Sequence, residues 1–190
     1  MNMHAIPSAA YTRGVSNTRR SQRWAAVVRR WAKRVMAARP LGQAQTWRWR
    51  QPIVIGGDSP YLIRWFIIPR NRIFNIYLHQ ILRDDDDRAL HDHPWTSWSL
   101  NLGGTLGEIY KAGDFEIHRW FRFGDVVHRG PKFAHRLLVP KTAMTLFITG
   151  PKLRSWGFHC DPPVGFRHWR EFTAPTKGYK SGGIGKGCNP

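Results

Sequence analysis

The chain reads as an all-β sandwich or barrel, and three observations predict it. Apolar runs are short and rich in β-branched and aromatic residues, glycine and proline punctuate them at close intervals, and no helical pattern falls between them. At 190 residues with 42% hydrophobic composition there is material for one ordinary domain and a core that needs no staples.

The runs follow in order. Pro52-Ile53-Val54-Ile55 meets a turn at Gly56-Gly57-Asp58-Ser59-Pro60, and Tyr61 to Ile68 is a second strand. Arg72 to Leu82, Thr96 to Leu102, Leu106 to Tyr110, Phe115 to Phe121, Val126 to His128, Arg136 to Val139 and Ala143 to Thr149 continue the series. Turns are expected at Gly103-Gly104, Ala112-Gly113-Asp114, Phe123-Gly124-Asp125, Val139-Pro140-Lys141 and Gly150-Pro151.

The ends differ from this middle. Residues 1–50 form a basic extension, with Met1 to about Arg20 read as disordered. From Ser21 to Arg39, Trp24, Val27, Val28, Trp31, Val35 and Met36 recur at three- and four-residue steps among arginines, so an amphipathic helix is expected over about 21–39. Ser21 is the candidate N-cap and Pro40 the stop. Residues 51–173 are the β-domain, and 174–190 a Gly/Lys-rich flexible tail.

Charge follows the same division. Of the formal +18, residues 1–50 supply +11 without a single acid, the tail +3, and the β-domain only +4. Any attraction to nucleic acid or an anionic surface therefore belongs to the appendages. The helix has three readings: a brace docked on the barrel, a membrane-surface helix inserting Trp24 and Trp31, or a nucleic-acid arm. Cys160 and Cys188 imply no disulfide framework, with Cys160 expected as a free thiol, and a cytoplasmic, reducing setting is the simplest expectation. No apolar run reaches the length of a membrane span, and no signal-peptide core is visible.

The chemistry is concentrated in histidines. His91-Asp92-His93 on an extended segment puts two imidazoles on one face, because strand side chains alternate. His135, from a later strand, would complete a three-nitrogen face with positions left for water, dioxygen or substrate. His128 is an alternative third or fourth ligand on a strand that more naturally aims it outward. Tyr77 and His79 share a strand face with Asn75 and are candidates for assisting proton transfer, or else aromatic packing. Arg154, two residues before Trp156, either clamps an anionic substrate group or pairs with an aspartate, and Trp156 is a candidate substrate contact. Asp84 to Asp87 lack the alternation of a calcium loop and read as a solvated turn.

These residues resemble the cupin superfamily. Its first motif is H-x-H, three or four intervening residues, a Glu, six intervening residues and a Gly; here Pro94-Trp95-Thr96 leads to Ser97 in the Glu slot and then across six residues to Gly104. Gly124, Pro131 and His135 resemble the second motif, with one residue more before the proline and one fewer after it. Ala89 to Trp95, Ala134 to Leu137, and Thr145 to Pro151 with Arg154, Trp156, Gly157 and Phe158 also look like small uncharacterised cupin-like proteins of phage and bacterial genomes. The resemblance covers about residues 55–173. It implies a jelly-roll barrel, or double-stranded β-helix, holding a mononuclear divalent metal: Fe(II) first, with Zn, Ni or Mn as alternatives. Cupins with three histidines and no carboxylate include thiol dioxygenases, so a dioxygenase-like enzyme acting on a small anionic substrate is one expectation. The other is a non-catalytic cupin module tethered by its basic appendages to nucleic acid or to a virion or protein partner. A homodimer is expected by analogy with cupins that pair through their sheets.

Overall fold

The computed structural model describes residues 14–15, 18–56, 59–84, 89–173 and 185–189. Its β-strands run β1 (Gly14–Val15), β2 (Ile53–Ile55), β3 (Leu62–Phe66), β4 (Asn75–Ile81), β5 (Leu90–His91), β6 (Ser97–Ala112), β7 (Phe115–Phe121), β8 (Val126–Arg129), β9 (His135–Thr149), β10 (Gly157–His159) and β11 (Phe166–His168). Helix α1 spans Arg19–Ala37 and a short α2 spans Trp169–Thr173. All pairings are antiparallel, and the neighbours β8-β6-β9-β4-β3-β2 are joined largely by non-consecutive crossovers. The architecture is thus the mostly-β class that the strand spacing predicts, in the jelly-roll form that the cupin resemblance implies.

Two predicted turns are absorbed into long strands. Gly103 and Gly104 lie inside β6 with φ of 139° and 86°, where the pairing with β9 shifts register. A Cβ on Gly104 would fall 2.1 Å from the Thr142 carbonyl oxygen, so glycine permits the close approach of the two strands. Pro140 sits opposite this irregularity on an exposed stretch of β9, where its missing N–H costs no ladder bond. The expected turn at Gly113-Asp114 does close the β6–β7 hairpin.

Strand alternation sorts the sheet into two faces. Ile63, Trp65, Leu78 and Leu102 pack beneath Ala25 and Ala32 of α1, both fully buried, while Leu62, Ile81, Leu106, Phe121 and Val127 fill the interior. Trp65 Nε1 donates to the Arg39 carbonyl, and Arg39 donates to the Phe66 carbonyl, tying the end of the helix to β3. The helix starts on Thr18, not Ser21: Thr18 caps the Ser21 N–H, and the Ser21 side chain reaches back in a reciprocal capping box. Brace-like docking is therefore observed, through Ala25 and Ala32 beside the predicted stripe and through its members Val28, Val35 and Met36. Trp24 and Trp31 stay exposed.

One expectation near the C-terminus is overturned. Cys160 and Cys188 form a disulfide across 28 residues, so neither is a free thiol, and the ground for a reducing compartment goes with them. Residues 185–189 are docked as well, Gly187 donating to the Phe172 carbonyl and accepting from Arg167. The remainder of the tail, the loop at 85–88 and most of residues 1–17 lie outside the described residues. Among the described residues no helix is long and apolar enough to cross a membrane.

Candidate metal centre

His91 and His135 face each other across the β5–β9 pairing, and His93 follows two residues later on the extended chain leaving β5. Local alternation turns Asp92 the other way: it is buried at 1% exposure while its two neighbours converge. One ring nitrogen from each histidine can be chosen so that all three lie within 4.8 Å of one another. His93 Nε2 is 3.1 Å from His135 Nε2. Two nitrogens each about 2.1 Å from one ion, at the right angle of an octahedral site, would stand about 3.0 Å apart. The donor set fits a divalent metal.

Its electrostatics favour ligation over protonation. Burial, the neighbouring imidazoles and nearby arginines hold His93 well below the usual histidine range. His135 is pushed down to about 4 by burial and by Arg129, against the pull of Glu108. Neutral imidazoles offer a lone pair, as a metal requires.

Glu108 fixes which lone pair is offered. Its Oε2 lies 2.9 Å from His135 Nδ1, and Arg129 binds the same oxygen at 2.6 Å. Arg119 takes Oε1. Burial opposes ionisation of Glu108, yet Arg129 and the His135 hydrogen bond hold its carboxyl far below the ordinary value. An ionised carboxylate only accepts, so His135 carries its proton on Nδ1 and turns the Nε2 lone pair toward His93. Glu108 has no motif signal; the only hint is an acid among apolar neighbours, Leu106 and Ile109, in a basic chain.

Asp92 anchors the segment that carries the other two histidines. Its carboxylate receives the Gly157 N–H at 3.0 Å, Arg154 at 2.6 Å and His159 at 3.1 Å. Burial works against the charge, and those hydrogen bonds, His159 foremost, nevertheless lower its pKa. Arg154 also donates to the Pro131 carbonyl. Of its two readings, the structure places Arg154 in the aspartate pair, where it anchors the centre of the H-x-H segment.

Aromatic walls flank the cluster. The His93 ring lies roughly parallel to Trp95, at 6.2 Å between centroids, and to Trp156, at 6.4 Å. Trp156 is stacked in turn on Trp169. Tyr77 and His79 occupy the interior face of β4, parallel at 5.7 Å, in registered rows with Phe147 and Thr145 of β9 and with Ser99 and Asn101 of β6. Arg64 Nε donates to His79 Nε2 at 2.9 Å and lies over the Tyr77 ring. Burial, then Arg64, keeps His79 neutral, and the same guanidinium lowers His93. Ser97, in the position where a motif carboxylate is usual, is fully buried with no hydrogen-bond partner for its hydroxyl among the described residues. His128 is not in the cluster and packs at a tilt against exposed Trp98. Asp84 accepts from the Val139 N–H.

The fold and site together define an all-β barrel protein with a convergent three-histidine cluster. No protein-family model matches the chain, and no curated protein matches it. Among solved structures it is similar to HEPD of Streptomyces albus with 2-hydroxyethylphosphonate and Fe(II) bound (TM-score 0.46, 14% identity, 54% of this chain and 25% of that one). It is similar also to hydroxypropylphosphonic acid epoxidase from S. wedmorenis (TM-score 0.43, 12% identity, 56% and 59%) and to a variant of Bacillus subtilis oxalate decarboxylase (TM-score 0.42, 17% identity, 57% and 29%). The chain spans less than two thirds of each. Likeness at this level leaves the chemistry to be argued from the residues themselves.

Proposed function

We propose that the protein is a mononuclear metal protein of the cupin type, and that His91, His93 and His135 hold a divalent ion, Fe(II) first, for chemistry on a small molecule. The single observation that carries this reading is the convergence of three histidines, of which His135 has its second nitrogen held by buried Glu108 while His91 and His93 bracket buried Asp92. Such outer partners set ring orientation and commonly matter 10–100-fold in affinity. The cupin-like spacing of the sequence and the barrel architecture support it.

A three-histidine set leaves coordination positions for exchangeable ligands, and a metal there supplies Lewis acidity or redox chemistry. The chain's own residues would do the rest. Trp95 and Trp156 wall off water beside His93, and Trp156 offers a face to substrate. Tyr77 and His79, with Arg64 bonded to one and lying over the other, form the polar inner wall and are the candidates for moving a proton. Arg154 acts through Asp92, holding the H-x-H segment in place.

Loading with Co(II) and titrating with azide tests the open positions, because cobalt's visible bands report ligand exchange. A saturable spectral change is expected. A cobalt spectrum indifferent to azide means a closed, structural site and overturns the enzymatic reading.

A further inference from the structure

Helix α1 has more apolar surface than the barrel uses. Positions 25 and 32 are fully buried, and Val28, Val35 and Met36 pack against the same cluster. Beside them, Trp24, Val27 and Trp31 form a second stripe at 63%, 47% and 40% exposure. The two indoles are seven residues apart on one side of the helix, about 10 Å along its axis, with the valine between them. Arg20, Arg23, Arg30 and Arg34 are exposed along the outer border of the stripe. Among the described residues no carboxylate pairs with these four.

We infer that this stripe, Trp24-Val27-Trp31 with its arginine border, is a docking surface for an anionic lipid bilayer, on which the helix lies parallel to the membrane while its other flank holds the barrel. Interfacial helices combine an apolar strip bearing tryptophan with flanking basic residues that reach phosphate level. Here the helix is already folded, so binding costs no ordering of this segment. The charge selects the class of partner: residues 1–50 carry +11 and no acid, so a second copy of the same face would repel. The aliphatic position between the indoles favours lipid over nucleic acid. Bases stack on aromatic faces and gain little from Val27, whereas acyl chains bury all three.

The test is co-sedimentation of the full chain with phosphatidylcholine vesicles, with and without phosphatidylglycerol. Binding is expected only to the anionic vesicles and should weaken with salt. Trp24→Ala/Trp31→Ala and, separately, Arg23→Gln/Arg30→Gln/Arg34→Gln should each cut partitioning by roughly tenfold or more. These side chains are exposed, so circular dichroism should be unchanged; should the tryptophan pair misfold, Trp24→Gln alone carries the test. Vesicle binding unaffected by the tryptophan change overturns the inference. So does absent vesicle binding with tryptophan-dependent binding of a single-stranded oligonucleotide, or a dimer that the tryptophan change converts to monomer without altering vesicle binding.

Discussion

Glu108 Oε2 lies 2.9 Å from His135 Nδ1, so a fully buried carboxylate on β6 sets the tautomer of a candidate ligand on β9. The same oxygen neutralises Arg129, which is itself 3% exposed. Glu108 therefore serves two functions at once, orienting the site and compensating a buried cation.

Glu108→Gln separates the two. Leaving Arg129 without its charge partner is expected to cost about 3–5 kcal/mol of stability, read by urea denaturation. Metal affinity should fall about 10–100-fold because the amide no longer enforces the Nδ1–H tautomer. A variant as stable as the parent, with the same affinity, means that this contact orients nothing.

Asp92→Asn keeps the shape but removes the charge that holds Arg154 and His159. The expected cost is about 1.5–3 kcal/mol for the loss of charge-assisted hydrogen bonds. Because Asp92 centres the H-x-H segment, metal affinity should drop too. Asp125→Asn, whose carboxylate bonds the Arg122 N–H away from the histidines, is the control and should leave metal affinity alone.

Acid should destabilise the metal-free protein from about pH 6.5 downward. His79, His93 and His135 all have lowered pKa values in the fold, so in that window the unfolded chain binds protons that the native one refuses. Stability then falls with pH, each group contributing up to about 1.4 kcal/mol per pH unit. The loss from His135 continues to its native value of about 4. Glu108 and Asp92, both lowered, add to the loss as pH drops through the carboxylate range. A melting temperature constant between pH 7.5 and 5 with chelator present contradicts this.

How much of this was written in the residues divides by range. The strand periods, the Gly113-Asp114 hairpin and the histidine spacing are local, and the structure shows them where the sequence places them. Gly103-Gly104 and Val139-Pro140-Lys141 look like turns because their composition is that of turns. Only the pairing of β6 with β9 shows that they are opposed irregularities in long strands. Glu108, Arg129 and Arg64 act through partners between 15 and 27 residues distant, and no spacing rule points at them. In Asp92 the spacer of a motif turns out to be its anchor. The stripe of α1 was legible as apolar, but which half would be buried was not: the small side chains let the helix approach the sheet, leaving both tryptophans outside.

The disulfide between Cys160 and Cys188 closes a 28-residue loop, worth about 3–4 kcal/mol on the loop-entropy account. Cys188→Ser should lower the melting temperature. It should also speed hydrogen exchange at the Gly187 amide, which is bonded to Phe172 in the native fold. Unchanged exchange would mean that the hydrogen bonds of Arg167 hold the segment alone.

Metal content measured on protein purified without chelator, beside His91→Ala/His93→Ala and His135→Ala prepared identically, tests the central claim most directly. The account predicts about one divalent ion per parent chain and little in either variant, with circular dichroism unchanged. A parent that carries no more metal than the variants, even after incubation with Fe(II), Zn(II), Ni(II) or Mn(II), contradicts it.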